Sequence, residues 1–159
     1  MPVSDLPPPP FEAIPAPPFE SPEGPPARPP QVGELTTGWR VVTGFTWVGV
    51  ILALAAVWNA SEQIGLMTWW LGPRGQPQSR LVQLSPFAVP VLIVLATINN
   101  IKWLGWLGLA GSAVVATIGT IDLGYVARLG ALEIAVGVAA ATVSLASLTG
   151  TYRRNGITG

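Results

Sequence analysis

The sequence has no cysteine and no histidine among its 159 residues. Disulfides, Cys/His zinc sites, iron–sulfur clusters, haem held by histidine and nucleophiles activated by a histidine base are therefore excluded. Charge is nearly as scarce. Asp, Glu, Lys and Arg together make up 10% of the chain, against about 25% in ordinary soluble domains. Lys102 is the single lysine beside seven arginines, and Ala, Gly and Val are heavily used, a bias expected of GC-rich, actinobacterial-like bacterial coding. There is no basic patch of the kind that nucleic acid needs, so DNA and RNA are not expected as partners.

What is present is hydrophobic and comes in runs. Val41–Ser61, Leu81–Ile101, Trp103–Ile121 and Ile134–Tyr152 contain no charged residue at all. A run of about 20 apolar residues matches the ~30 Å hydrocarbon core of a bilayer at 1.5 Å per helical residue. The expected fold is an all-α integral membrane protein of four transmembrane helices, as an up-down bundle or two hairpins, preceded by a disordered proline-rich tail. The expected division is an acidic tail over 1–35 and a membrane domain over 36–159, with spans at about 38–60, 82–100, 103–121 and 130–151.

The tail follows from proline. Thirteen of the seventeen prolines lie between Pro2 and Pro30, and proline fixes φ and removes a donor, so helix and central strand are excluded there. With few apolar residues the segment is expected to be disordered with polyproline II character. Asp5, Glu12, Glu20, Glu23 and Glu34 against Arg28 make it acidic, while the rest of the chain is basic. Pro9-Pro10-Phe11-Glu12 recurs as Pro17-Pro18-Phe19-Glu20. Phe11, Glu12, Phe19 and Glu20 are thus a candidate pair of docking motifs for a soluble partner; the alternative is a spacer that drifted by duplication.

Within the membrane domain, Trp39 and Trp58 near the ends of the first span suit the membrane–water interface. The following Ile64–Leu71 segment is too short to span; it is expected to extend the helix or to lie flat with Trp69 and Trp70 as anchors. Gly72-Pro73-Arg74-Gly75-Gln76-Pro77 is a turn. Ser85-Pro86 reads as a helix start, with Leu81–Leu84 available to complete a short second span. Asn99-Asn100-Ile101-Lys102 reads as a tight turn, although 86–121 also fits a re-entrant hairpin. Four spans place Arg28, Arg40, Lys102, Arg153 and Arg154 on one side and Arg74, Arg80 and Arg128 on the other. The positive-inside rule then favours a cytoplasmic (inner) membrane protein with both termini cytoplasmic.

Small residues offer helix contacts: Gly105, Gly108, Gly111, Ser112, Ala116 and Thr120 on the third span, and Gly137, Ala140, Ala141 and Ser144 on the fourth. In lipid such residues let helix backbones approach, either within the chain, between copies, or against another membrane subunit. The carboxylates outside the tail, Glu62, Asp122 and Glu133, all fall at expected span boundaries. Asp122, Arg128 and Glu133 are expected to be solvated at the interface with weak pairing, in the company of Arg40, Lys102, Arg153 and Arg154 as interfacial charges. No nucleophile constellation, phosphate-cradling glycine loop or metal-ligand spacing is present, so no enzyme activity and no cofactor is expected. The expected function is a non-catalytic accessory or scaffold subunit of a larger bacterial inner-membrane complex. The alternatives are a small self-oligomerising pore of holin type, and a four-span exporter, which a missing mid-membrane carboxylate weakens. The first expected outcome concerns the class: the chain stays with vesicles through a carbonate wash, and its release into the wash would remove the membrane reading.

Overall fold

A computed structural model of the chain describes Pro29 and residues 31–152; Phe11, Glu12, Phe19, Glu20, Arg153 and Arg154 lie outside the described residues. The order is α1 (Thr37–Ile64), α2 (Arg80–Ile98), α3 (Leu104–Asp122) and α4 (Ala127–Ser147), closed by a 3₁₀ turn over Leu148–Gly150. Each of the four helices is long and apolar enough to cross a membrane. The 86–121 region is thus divided between two helices, α2 and α3, each of 19 residues in full or about 28 Å, because α2 begins ahead of it at Arg80.

Local chemistry sets the boundaries. Gly65 ends α1 in the left-handed region at φ 77°, its N–H donating to the Ser61 carbonyl, the αL cap that glycine adopts without a Cβ penalty. α1 is therefore 28 residues long, about 42 Å, longer than the ~30 Å of a bilayer's hydrocarbon core. α2 starts at Arg80 rather than at Ser85-Pro86, so both Pro86 and Pro90 lie inside it. Pro86 has no N–H for the Val82 carbonyl, and the Ser85 hydroxyl donates to that oxygen instead, at 2.7 Å. The turn from α2 to α3 places Asn100 at φ 48° and Trp103 at φ 67°, so Trp103 caps α3 instead of beginning it. α4 starts at Ala127, because Val126 N–H closes on the Asp122 carbonyl at 2.8 Å and the connection is only Leu123–Val126.

The helices form a ring: α1 packs on α2 and α4, α3 packs on α2, and α3 and α4 make the most extensive contact. The buried residues of every helix recur at spacings of three and four. They are Thr43, Trp47, Val50, Leu54, Val57 and Ser61 on α1, and Gln83, Pro86, Pro90, Ile93, Ala96 and Thr97 on α2. On α3 they include Gly105, Gly108, Ser112, Val115, Gly119 and Asp122. On α4 they are Gly130, Glu133, Gly137, Ala140, Ser144 and Ser147. This is the seam spacing of a left-handed helical bundle. Large apolar side chains mostly face outward; Phe45 is 75% exposed, Leu81 84% and Ile98 70%. Soluble monomers rarely expose contiguous apolar surface on this scale, whereas lipid solvates it and leaves small-residue packing to hold the helices together.

The segments flanking the bundle are tied to each other. Leu35 and Thr151 form an antiparallel bridge. Thr36 N–H donates to the Gly150 carbonyl at 3.0 Å and Tyr152 N–H to the Glu34 carbonyl at 2.9 Å. Glu34 and Leu35 are buried, and the Asn100 amide donates to the Glu34 carboxylate at 3.2 Å. Residues 31–35, expected within the disordered tail, are thus part of the folded unit, because a backbone partner in the C-terminal segment satisfies their polar groups.

The α3–α4 seam supplies a steric test. A Cβ on Gly130 would lie 2.5 Å from the Gly119 carbonyl oxygen and from Leu123 N, while one on Gly49 meets nothing within 4 Å. Gly130→Ala is expected to cost about 1–3 kcal/mol and Gly49→Ala less than about 0.5 kcal/mol, read as the midpoint of SDS-induced unfolding of the protein in detergent micelles.

Candidate functional site

Two of the acidic residues expected to be solvated, Asp122 and Glu133, are instead buried between helices. Asp122 is 0% exposed and Glu133 1%. Glu133 enters because α4 begins six residues before it, which sets the side chain about 9 Å along the helix. Asp122 is the last residue of α3, and both occupy seam positions. Glycine makes the room: Gly119 would place a Cβ 2.9 Å from Glu133 Cβ, and Gly130 one 2.9 Å from the Asp122 carbonyl carbon. The two carboxyls face each other, with the Trp70 indole against both. Arg128, the cation expected to pair with them, is exposed.

The loop between α1 and α2 covers this pair. Trp70 does not lie flat as an interfacial anchor; it is fully buried among Val57, Leu71 and Ile118, with Trp58 and Phe87 beside it. Its ring meets Trp58 edge-on at 5.8 Å and Phe87 at 6.1 Å, the edge-to-face geometry that ring quadrupoles favour. The Trp69 backbone N–H donates to Asp122 Oδ1 at 2.9 Å. Asp122 Oδ2, both Glu133 oxygens and Trp70 Nε1 are buried without a hydrogen bond of normal geometry. An unpaired buried polar group carries a desolvation cost of about 1–3 kcal/mol, more if charged. The two carboxyls and the Trp70 N–H donor thus converge on one buried point.

The other singled-out residues divide between faces. Gly105 packs on Leu148 and Ser147, Gly108 on Ser144, and Gly137 on Ala116 and the Ser112 carbonyl; all serve the α3–α4 contact inside the chain. Gly111 instead faces Ile93, Val89 and Trp47 of the first two helices. Ala141 is half-buried and Thr120 exposed, since a row at every fourth residue advances about 40° per step and leaves the seam. Gly119 and Gly130, which sequence reading passed over, make the closest approaches to backbone across the α3–α4 seam; continuing the three-four spacing through Gly119 to Asp122, and back from Gly137 through Glu133 to Gly130, is the signal that reaches them. Lys102 is exposed and Arg40 half-buried. Glu62 is exposed and accepts the Trp58 indole N–H at 2.7 Å. Arg74 donates to the Glu62 backbone carbonyl.

Comparisons with family models, with curated proteins and with solved structures give no match to this chain.

The tether from Asp122 to the loop is testable by hydrogen exchange. Asp122→Ala leaves the Trp69 N–H without its acceptor, worth about 1–3 kcal/mol, so amide exchange across residues 66–79 should accelerate roughly tenfold or more. Asp122→Asn keeps the acceptor oxygen and should stay near wild type. Equal exchange in all three proteins would mean that the loop is held by Trp70 packing alone.

Proposed function

We propose that this chain is a non-catalytic, multi-pass accessory or scaffold subunit of a larger bacterial inner-membrane assembly. The observation that carries this reading is the outer surface between α2 and α3. A cavity of about 250 Å³ opens there, lined by Val89, Leu92, Ile93, Ala96, Leu107, Ala110, Gly111 and Val114. It is apolar, and Ala96, Ala110 and Gly111 keep part of its lining low. Small residues at a lipid-facing groove let a further helix approach its backbone. The small residues of the α3–α4 seam are engaged within the chain, so this groove is the better support for an intermolecular contact. The Pro-rich tail, with Phe11, Glu12, Phe19 and Glu20, suits a soluble partner of the same assembly.

Copurification from mild detergent tests the reading. Ala110→Trp, which fills the groove from an outward position, is expected to release at least half of the membrane partners that the wild type retains, with the bundle intact by circular dichroism. Removal of residues 1–28 should release a separate, soluble set. A single monomeric species at every expression level would overturn the proposal.

A four-span exporter is the second reading, favoured by the Asp122–Glu133 pair. Acid-coupled transport needs a carboxyl inside the bundle, and this pair is buried at the α3–α4 seam beneath the Trp70 loop. Substrate efflux should fall to background in Asp122→Ala/Glu133→Ala vesicles; efflux retained in that double variant would be fatal to acid coupling.

A further inference from the structure

We propose that the groove between α1 and α2 holds one anionic phospholipid, with its phosphate on the Arg40 guanidinium and an acyl chain against Phe45, Val48 and Val94. The inference rests on the membrane class of the chain and not on the accessory role. The groove has a volume of about 400 Å³ and is lined by Arg40, Gly44, Phe45, Val48, Val94 and Ile98 among others. It has one polar end. Arg40 is the fourth residue of α1, and Val48 lies eight residues further on, about 12 Å deeper at 1.5 Å per residue.

The floor is apolar for identifiable reasons. Gly44 has no side chain, and a Cβ there would already be in van der Waals contact with the Thr97 methyl at 3.4 Å. The Thr97 hydroxyl is turned into its own helix, donating to the Ile93 carbonyl at 2.7 Å. Phe45 and Ile98 stand as outward walls. The Arg40 guanidinium has no hydrogen-bond or ion-pair partner among the described residues. A cation at the membrane surface above an apolar slot complements a molecule with an anionic head and a hydrocarbon tail. Guanidinium matches phosphate geometry through paired N–H donors. A neutral partner helix would satisfy the slot and leave the cation unanswered.

The test uses the full-length chain in vesicles of mixed phosphatidylglycerol and phosphatidylcholine, with retained lipid counted by native mass spectrometry after mild extraction. The wild type should retain one phosphatidylglycerol per chain in preference to phosphatidylcholine. Arg40→Gln should lower that preference about fivefold, while Lys102→Gln, a change of the same charge outside the groove, should leave it intact. Gly44→Leu should lose retained lipid of both kinds. Val48→Trp, on the exposed lip, reads the same loss should the leucine variant misfold. Equal retention of the two lipids by the wild type, or equal losses in Arg40→Gln and Lys102→Gln, would overturn the proposal. So would a protein crosslinked through Phe45 that excludes lipid. A chain that leaves the vesicles in carbonate instead fails the membrane class itself, so the two failures are distinguishable.

Discussion

The near-contact of the α3 and α4 backbones is the constraint on which the remaining architecture depends. At Gly119 and Gly130 the helices approach so closely that even a methyl group would strike main-chain atoms. Dispersion between tightly opposed backbones holds helices together where lipid competes for every apolar surface. That approach also decides what the seam contains. With glycine on one helix, the facing position on the other can take a carboxyl, and Asp122 and Glu133 enter the bundle through the space that two absent side chains leave. The loop bearing Trp69 and Trp70 then closes over them, fixed by one backbone hydrogen bond to Asp122 and by a cluster of aromatic rings.

This arrangement separates the molecule into an inert surface and a costly interior point. The outward helix faces carry large exposed apolar side chains that suit contact with lipid. The interior point holds buried carboxyl oxygens with unmet hydrogen-bonding capacity. A purely structural bundle has no need of it, since well-packed apolar residues serve at least as well as buried ionic ones. That tension is why a transport reading stands beside the accessory one.

The number and rough position of the helices were legible because charge is absent from the runs that form them. Lipid imposes that absence independently of packing. The packing itself was hidden. In a soluble protein the hydrophobic stripe marks the core, but here the outward faces are equally apolar, and the seam mixes Trp, Val, Leu and Ile with Thr, Ser, Gly, Pro and Gln, which read as neutral. Spacing at every fourth residue found Gly108 and Ser112 but left the seam by Thr120. Treating charge as a marker of the membrane surface placed Asp122 and Glu133 outside, because the short Leu123–Val126 connection and the early start of α4 have no signal in composition. Trp70 was misplaced for a related reason. Tryptophan pairs suit interfaces on average, and only the fold of the loop turns one of them inward. The bridge between Leu35 and Thr151 joins segments 116 positions apart in the chain, a pairing with no local pattern to announce it.

That bridge makes the order of helices circular. α1 packs on α4, and the segments that precede and follow the bundle are hydrogen-bonded to one another, so no helix is privileged as first or last. A chain joined from Tyr152 to Gly33 through a short linker and opened instead within Gly72–Gln78 would have the same neighbours around the ring. Such permutation is tolerated where termini adjoin. The bundle's identity therefore resides in its cyclic sequence of faces rather than in the point at which the polypeptide begins.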